Sequence, residues 1–250
     1  MNILVVNDDG IQSVGLRALV KALSDVADVY VCAPNGQRSA KSQAISVRAD
    51  VTVEVAEVPF AKKAYAVDGT PADCTKLGLQ FGRESGKLID MVFSGINHGS
   101  NLGLDTVYSG TVGAAMEAAM DGVHAVAVSV DSHEPVHFDA ACRLAVQSID
   151  FAYGKYSTDS VININTPDLP TDEIKGIRFT TLGPRYYDDC FRSRDGKVFR
   201  LEGDPPESFA LSNDIDVQAS MNGYATITPL QFNYTDYRNL EKIKEWDLQI

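Results

Sequence analysis

Residues 1–10 read MNILVVNDDG, an apolar run that stops on two adjacent carboxylates, Asp8 and Asp9, and then Gly10. From Ile3 to Val6 there is no alternation of apolar and polar positions, the character of a strand buried on both faces in a parallel sheet. Residues 14–26 (VGLRALVKALSDV) follow, with Leu16, Leu19, Val20 and Leu23 at helical spacing. Residues 28–33 (DVYVCA) make a second apolar run, closed by Pro34, Asn35 and Gly36. Strand, helix and strand in that order predict a right-handed βαβ unit.

Outward from that unit the alternation continues. Residues 35–43 (NGQRSAKSQ) are polar and form a loop, and residues 45–58 predict a long strand or hairpin arm. Thr70 before Pro71 predicts a capped helix start. Residues 90–94, 123–130 and 160–165 read as buried strands, and residues 111–120 and 138–151 as helices. This pattern predicts an α/β fold, a three-layer α/β/α sandwich around a mostly parallel, Rossmann-like sheet. The chain reads as one domain over residues 1–250, with the core ending at about 165 and a C-terminal extension over 166–250. The extension carries short strands at 176–182, 197–201 and 224–228, a projecting hairpin or arm at 184–206 and a terminal helix at 239–246.

The 250 residues carry a net charge of −12. That argues against a general binder of nucleic-acid duplexes, which needs a basic footprint. A small phosphorylated substrate stays open, because local charge decides its binding. No stretch reaches the ~18 consecutive apolar residues of a membrane span, and the start lacks the charged-then-apolar build of a leader. Cys32, Cys74, Cys142 and Cys190 are scattered, without C-x-x-C spacing. They read as small buried side chains in a reducing compartment. The expectation is a cytoplasmic protein without a membrane partner.

In open α/β sheets ligands bind beyond the carboxyl ends of the strands. Three polar loops fall there: residues 7–10, residues 35–43, and the loop after the strand ending at Ser94. Their Asp, Ser and Asn oxygens suit Mg²⁺ or Mn²⁺, and no His/Cys pairing has zinc-ligand spacing. Taken alone, Asp8–Asp9 reads equally as a helix cap beside a solvated acid. Its place between a buried strand and a glycine favours a cation site. Residues 95–110 (GINHGSNLGLDTVYSG) run straight into a helix whose start, Ser109–Gly110–Thr111, offers N–H groups and hydroxyls to an anion or serves as a plain N-cap. His98 in that loop could protonate a leaving group, and Arg38 could steady an anion. A metal site beside a phosphate cradle is a phosphoester-hydrolase pattern.

With these residues assembled, the chain resembles the SurE family, stationary-phase survival proteins that act as 5′/3′-nucleotidases. The blocks that carry the resemblance are ILVVNDDG, APNGQRSAKS, GTPADC, SGINHGSNLG, YSGTVGAAMEA, NINTPDLP and IKGIR, in one order over nearly the whole chain. The resemblance implies one divalent metal ion per subunit, Mg²⁺ or Mn²⁺, held by Asp8, Asp9, Ser39 and Asn97. It implies that Asn101, Ser109, Gly110 and Thr111 lie near the substrate phosphate. It also implies a homodimer or homotetramer with exchanged C-terminal segments. Two departures stand out: Ala40–Lys41 replaces a small, Gly-containing pair, and His98 and Ser100 occupy variable positions.

The expected reaction is hydrolysis of nucleoside 5′- and 3′-monophosphates, with Asp8, Asp9 and Asn97 as the catalytic residues. A broader acid phosphatase or exopolyphosphatase would use the same site. A receiver-like signalling domain also pairs acids after its first strand, but needs a phosphoacceptor Asp where this chain has Ser94–Gly95–Ile96–Asn97. A haloacid-dehalogenase-type phosphatase needs acids two apart, and here they are adjacent.

Overall fold

The first strand, β1 (Asn2–Val6), sorts its side chains by parity. Ile3 and Val5 enter one hydrophobic core with Leu16, Leu19 and Leu23; Leu4 and Val6 enter a second with Cys74, Leu79 and Val112. Burial on both faces explains the unbroken apolar run. The structure is a computed structural model that describes residues 1–184, 189–203 and 212–247. After β1 come α1 (Val14–Ser24), β2 (Asp28–Pro34), β3 (Val53–Ala56), β4 (Lys63–Val67), α2 (Pro71–Glu84), β5 (Met91–His98), α3 (Asp105–Tyr108) and α4 (Gly110–Met120). The remainder is β6 (His124–Asp131), α5 (Asp139–Ala152), β7 (Ser160–Pro167), β8 (Ile177–Phe179), β9 (Cys190–Ser193), β10 (Phe199–Glu202), α6 (Asp216–Met221), β11 (Ala225–Gln231) and α7 (Tyr237–Ile243).

Among the described residues the main sheet has nine strands in the order β3-β4-β2-β1-β5-β6-β7-β11-β8. Strands β4, β2, β1, β5, β6 and β7 are parallel to their neighbours within that run. The α/β sandwich is therefore as expected: α1 and α5 cover one face, α2 and α4 the other. From β1 the chain builds outward through β2 and β4, then returns to place β5 on the opposite side of β1. The crevice between β1 and β5 is thus the point where the winding reverses, the usual ligand site of such sheets. The loops after β2, β1 and β5, three adjacent strands, all open there.

Several boundaries differ from the sequence reading. Residues 45–58 do not form one long strand; only β3 pairs, antiparallel to β4. The residues before it bond to side chains instead: Ser46 donates its N–H and hydroxyl to Asp73 at 2.9 and 2.8 Å, and Thr70 Oγ1 donates to the Ala44 carbonyl. Asp73 also closes a capping box with Thr70 at the start of α2. Although burial opposes it, donation from Ser46 and Thr70 holds the Asp73 carboxyl below its usual range. Strand β5 runs on to His98 through a register shift between Ser94 and Asn97. The extension adds to the same sheet, β11 pairing antiparallel with β7 and parallel with β8. The expected arm is the β9–β10 hairpin, which among the described residues pairs only with itself; residues 185–188 and 204–206 of the expected span lie outside them.

Candidate active site at the β1–β5 crevice

The NDDG turn is fixed by Asn7, whose amide donates to the Gly10 carbonyl at 3.0 Å while its oxygen accepts from the Gly10 N–H at 3.2 Å. Gly10 sits at φ +96°, where a side chain would be strained. This closed turn aims the two acids in different directions. Asp8 is buried, its Oδ1 accepting from Thr111 Oγ1 at 2.5 Å. It therefore lies against the start of α4, and a Cβ on Gly110 would come within 2.9 Å of Asp8 Oδ2. Gly110 is what lets the helix approach the carboxylate. Asp9 turns toward β5, its Oδ2 accepting from the His98 N–H at 3.0 Å.

Burial is the largest influence on both acids. It pushes Asp8 from 3.8 up to about 6, opposed by donation from Thr111 and reinforced by the charge on Asp9. Asp9 is raised as well, by burial, against the pull of the His98 N–H and the charge of its ring. Two adjacent carboxylates that resist ionisation form a site whose cost a cation relieves.

Asn97 immediately precedes His98 on β5, and its amide nitrogen donates to the Gly99 carbonyl at 2.7 Å. The amide oxygen is thereby turned away from that bond. The loop after β2 is tied to the turn by the Arg38 N–H, which donates to the Asp8 carbonyl at 2.6 Å. Ser39 is next in the chain and exposed, its hydroxyl accepting from Gln37. The Arg38 guanidinium is engaged with Asp68 at 2.6 Å and with Asn35, so its charge is largely spent outside the crevice. Ser109 accepts from the Val112 N–H, capping α4. The cap reading of this turn therefore holds for Ser109, and Thr111 meets Asp8 from the same helix start.

Asn101 is placed differently from the rest. It is buried in a polar network at the ends of β6 and β7: its N–H donates to Asn165, its amide to Ser129, and its carbonyl accepts from Asn163 and Asn165. Of the expected residues, Asp8, Gly110 and Thr111 are in contact, Asp9 meets the β5 end that carries Asn97, and Ser39 is held one residue from the Asp8 clamp.

Asp216 belongs to none of the sequence motifs. Fully buried at the start of α6, it accepts from the Gly103 N–H and the Gly183 N–H at 2.7 Å each, and from the Val217 N–H at 2.8 Å. It pins the loop that carries Asn101 to the C-terminal region. Lying 113 positions from Gly103, it carries no local signal. Asn163 and Asn165 did leave one: two amides at alternate positions of an otherwise apolar strand face the same side.

The donors available at the crevice are carboxylate, hydroxyl and amide oxygens, a set that fits a hard divalent cation. Among the described residues no cluster of three or more His, Cys, Asp or Glu side chains is placed to hold a metal. The two acids would need the Ser and Asn oxygens to complete a coordination shell.

Known proteins match this chain along its length. "5′-nucleotidase SurE" from Nostoc sp. is 38% identical over 100% of both chains. The protein of the same name from Methylococcus capsulatus is 39% identical over 98% of this chain and 97% of its own. A crystal structure of the SurE protein from Aquifex aeolicus superposes with a TM-score of 0.82 at 32% identity, covering 98% of each chain. Residues 3–189 match the family described as survival protein SurE, and on these grounds the chain belongs to the SurE family.

Proposed function

We propose that the protein is a metal-dependent phosphomonoesterase that hydrolyses nucleoside 5′- and 3′-monophosphates to nucleoside and phosphate. The observation that carries this reading is the contact of Asp8 with Thr111. It sets a carboxylate pair against a helix start, so that a cation and a phosphate would share one crevice. The family's nucleotidases support the substrate class.

In this reading Asp8, Asp9, Ser39 and Asn97 would hold one Mg²⁺ or Mn²⁺, which would supply positive charge against the phosphate and lower the pKa of a nearby water. Asp8 or Asp9 orients the attacking water and accepts its proton. At the Ser109–Gly110–Thr111 turn the Gly110 and Thr111 N–H groups and the Ser109 hydroxyl receive phosphoryl oxygens, while the Thr111 hydroxyl stays with Asp8, stabilising charge as the ester bond breaks. Asn101, braced by Ser129, Asn163 and Asn165, acts from the far wall.

A homodimer or homotetramer fits the exposed extension. All eight residues of β9 and β10 are exposed, Phe191, Phe199 and Leu201 among them, and α7 buries none of its residues. An isolated two-stranded hairpin is marginal in water, and so is a helix this short; a second copy would cover both. Among the described residues no helix is long and apolar enough to cross a membrane. We assign the cytoplasm, with no membrane or nucleic-acid duplex as partner.

The test is a panel of nucleoside 5′- and 3′-monophosphates with Mg²⁺ and Mn²⁺, measuring phosphate release. Turnover that requires the metal and stops with a chelator is expected. Nucleotides left intact by pure protein with Mn²⁺ would refute the assignment.

A further inference from the structure

A second cleft opens on the other side of the α4 start. Its volume is about 210 Å³, and Ser109, Val112 and Met116 form one wall along a single face of α4. Gln43, Val107 and Tyr234 stand opposite and at the rim. The cleft is held open by specific bonds rather than loose packing. Ser42 donates its N–H to the Tyr108 carbonyl at 3.0 Å and its hydroxyl to the Val107 carbonyl at 2.7 Å. A Cβ on Gly113 would lie 2.4 Å from the Ser42 carbonyl, so this glycine lets the loop rest directly on the helix.

We propose that this cleft receives the nucleoside part of the substrate, with the base against the Tyr234 ring and Gln43 reading its polar edge. The ligand class rests on the nucleotidase reading above; the location rests on the cleft. Ser109 belongs to both the cleft and the phosphate turn, so a ligand whose phosphate meets the helix start extends from there into the cleft. Its volume is below the ~300–1,000 Å³ of a pocket for a whole drug-sized ligand, which suits a base and sugar whose phosphate stays outside. The walls are largely apolar, with few polar groups to fix orientation, as in ligand sites generally. Gln43 Nε2 already donates to Glu117 Oε2 at 3.0 Å, and buried Glu117 is itself paired with Lys76 at 2.5 Å. That bond fixes the amide and leaves its oxygen as the acceptor for a donor on the base or sugar. Tyr234 is 83% exposed, and an exposed ring at a cleft mouth is a stacking platform for any base.

The experiment is calorimetric titration of adenosine, and separately of uridine, into the full-length protein in the presence of a chelator, so that neither metal nor hydrolysis is involved. Tyr234→Ala and Val107→Arg, both at exposed positions, are titrated in parallel. Binding to the wild type that weakens about tenfold or more in both variants is expected. With metal present, the ratio of kcat/KM for a nucleotide to that for glycerol 2-phosphate should fall by a similar factor, through KM. Absence of nucleoside binding to the wild type, or equal binding in all three proteins, would overturn the proposal. A wild type that binds adenosine but hydrolyses no nucleotide would instead strike the nucleotidase assignment and leave the cleft standing.

Discussion

Asp9→Asn is expected to lower kcat/KM for nucleoside monophosphates by on the order of a thousandfold, about 4 kcal/mol of transition-state stabilisation. The substitution keeps the volume of the side chain and an oxygen able to accept from the His98 N–H, as Asp9 Oδ2 does. What it removes is one of two negative charges in the crevice. In the proposed site a divalent cation left with one acid and two neutral oxygens would bind far more weakly, and the phosphate would lose its neutralising partner. Steady-state kinetics with saturating Mn²⁺, alongside circular dichroism to show an intact fold, measures the effect. A variant that retains full metal-dependent phosphatase activity would remove Asp9 from the site.

The second large effect is on stability. Asp216→Ala leaves the N–H groups of Gly103, Gly183 and Val217 without the carboxylate that receives them. A buried donor stripped of its partner costs about 1–3 kcal/mol. Three such donors, partly relieved by entering water, amount to roughly 3–5 kcal/mol, among the largest losses single substitutions produce. Urea unfolding should show the midpoint falling with little change in slope. Because Gly103 lies two residues from Asn101, turnover should also drop at temperatures where the variant remains folded. A loss below about 1 kcal/mol would mean that water replaces the carboxylate without cost.

Much of the arrangement could be read from the chain because its signals are local. An apolar run without alternation marks β1 as doubly buried, and Thr70–Pro71 marks the start of α2. The placing of paired acids after a buried strand then points to the crevice by a rule of α/β topology. What could not be read depends on distant partners. Residues 45–52 look like a strand by composition, yet the Ser46 N–H is taken by Asp73, so the ladder stops at β3. The short run of β4 is legible only once β2 is there to pair with it. Asn101 reads in sequence as a ligand-facing loop residue, and its bonds brace the ends of β6 and β7. Asp216 is silent in sequence because its meaning comes wholly from backbone groups brought from two other segments.

The acids at the crevice make the cation testable through the fold as well as the chemistry. A carboxyl raised above its unfolded value favours the protonated folded state. The Asp8 penalty is therefore absent below pH 3.8, grows as pH rises, and is complete above about pH 6. At about 1.4 kcal/mol per pH unit it amounts to roughly 3 kcal/mol. A cation bound between the acids relieves it only where they are ionised. The most direct measurement is the thermal unfolding midpoint with and without Mn²⁺, at pH 4.5 and 7.5, for the wild type and Asp8→Asn. A paired-acid cation site predicts that Mn²⁺ raises Tm of the wild type by roughly 5–10 °C at pH 7.5, much less at pH 4.5, and hardly at all in the variant. An equal rise in the variant, or none in the wild type at pH 7.5, would contradict it.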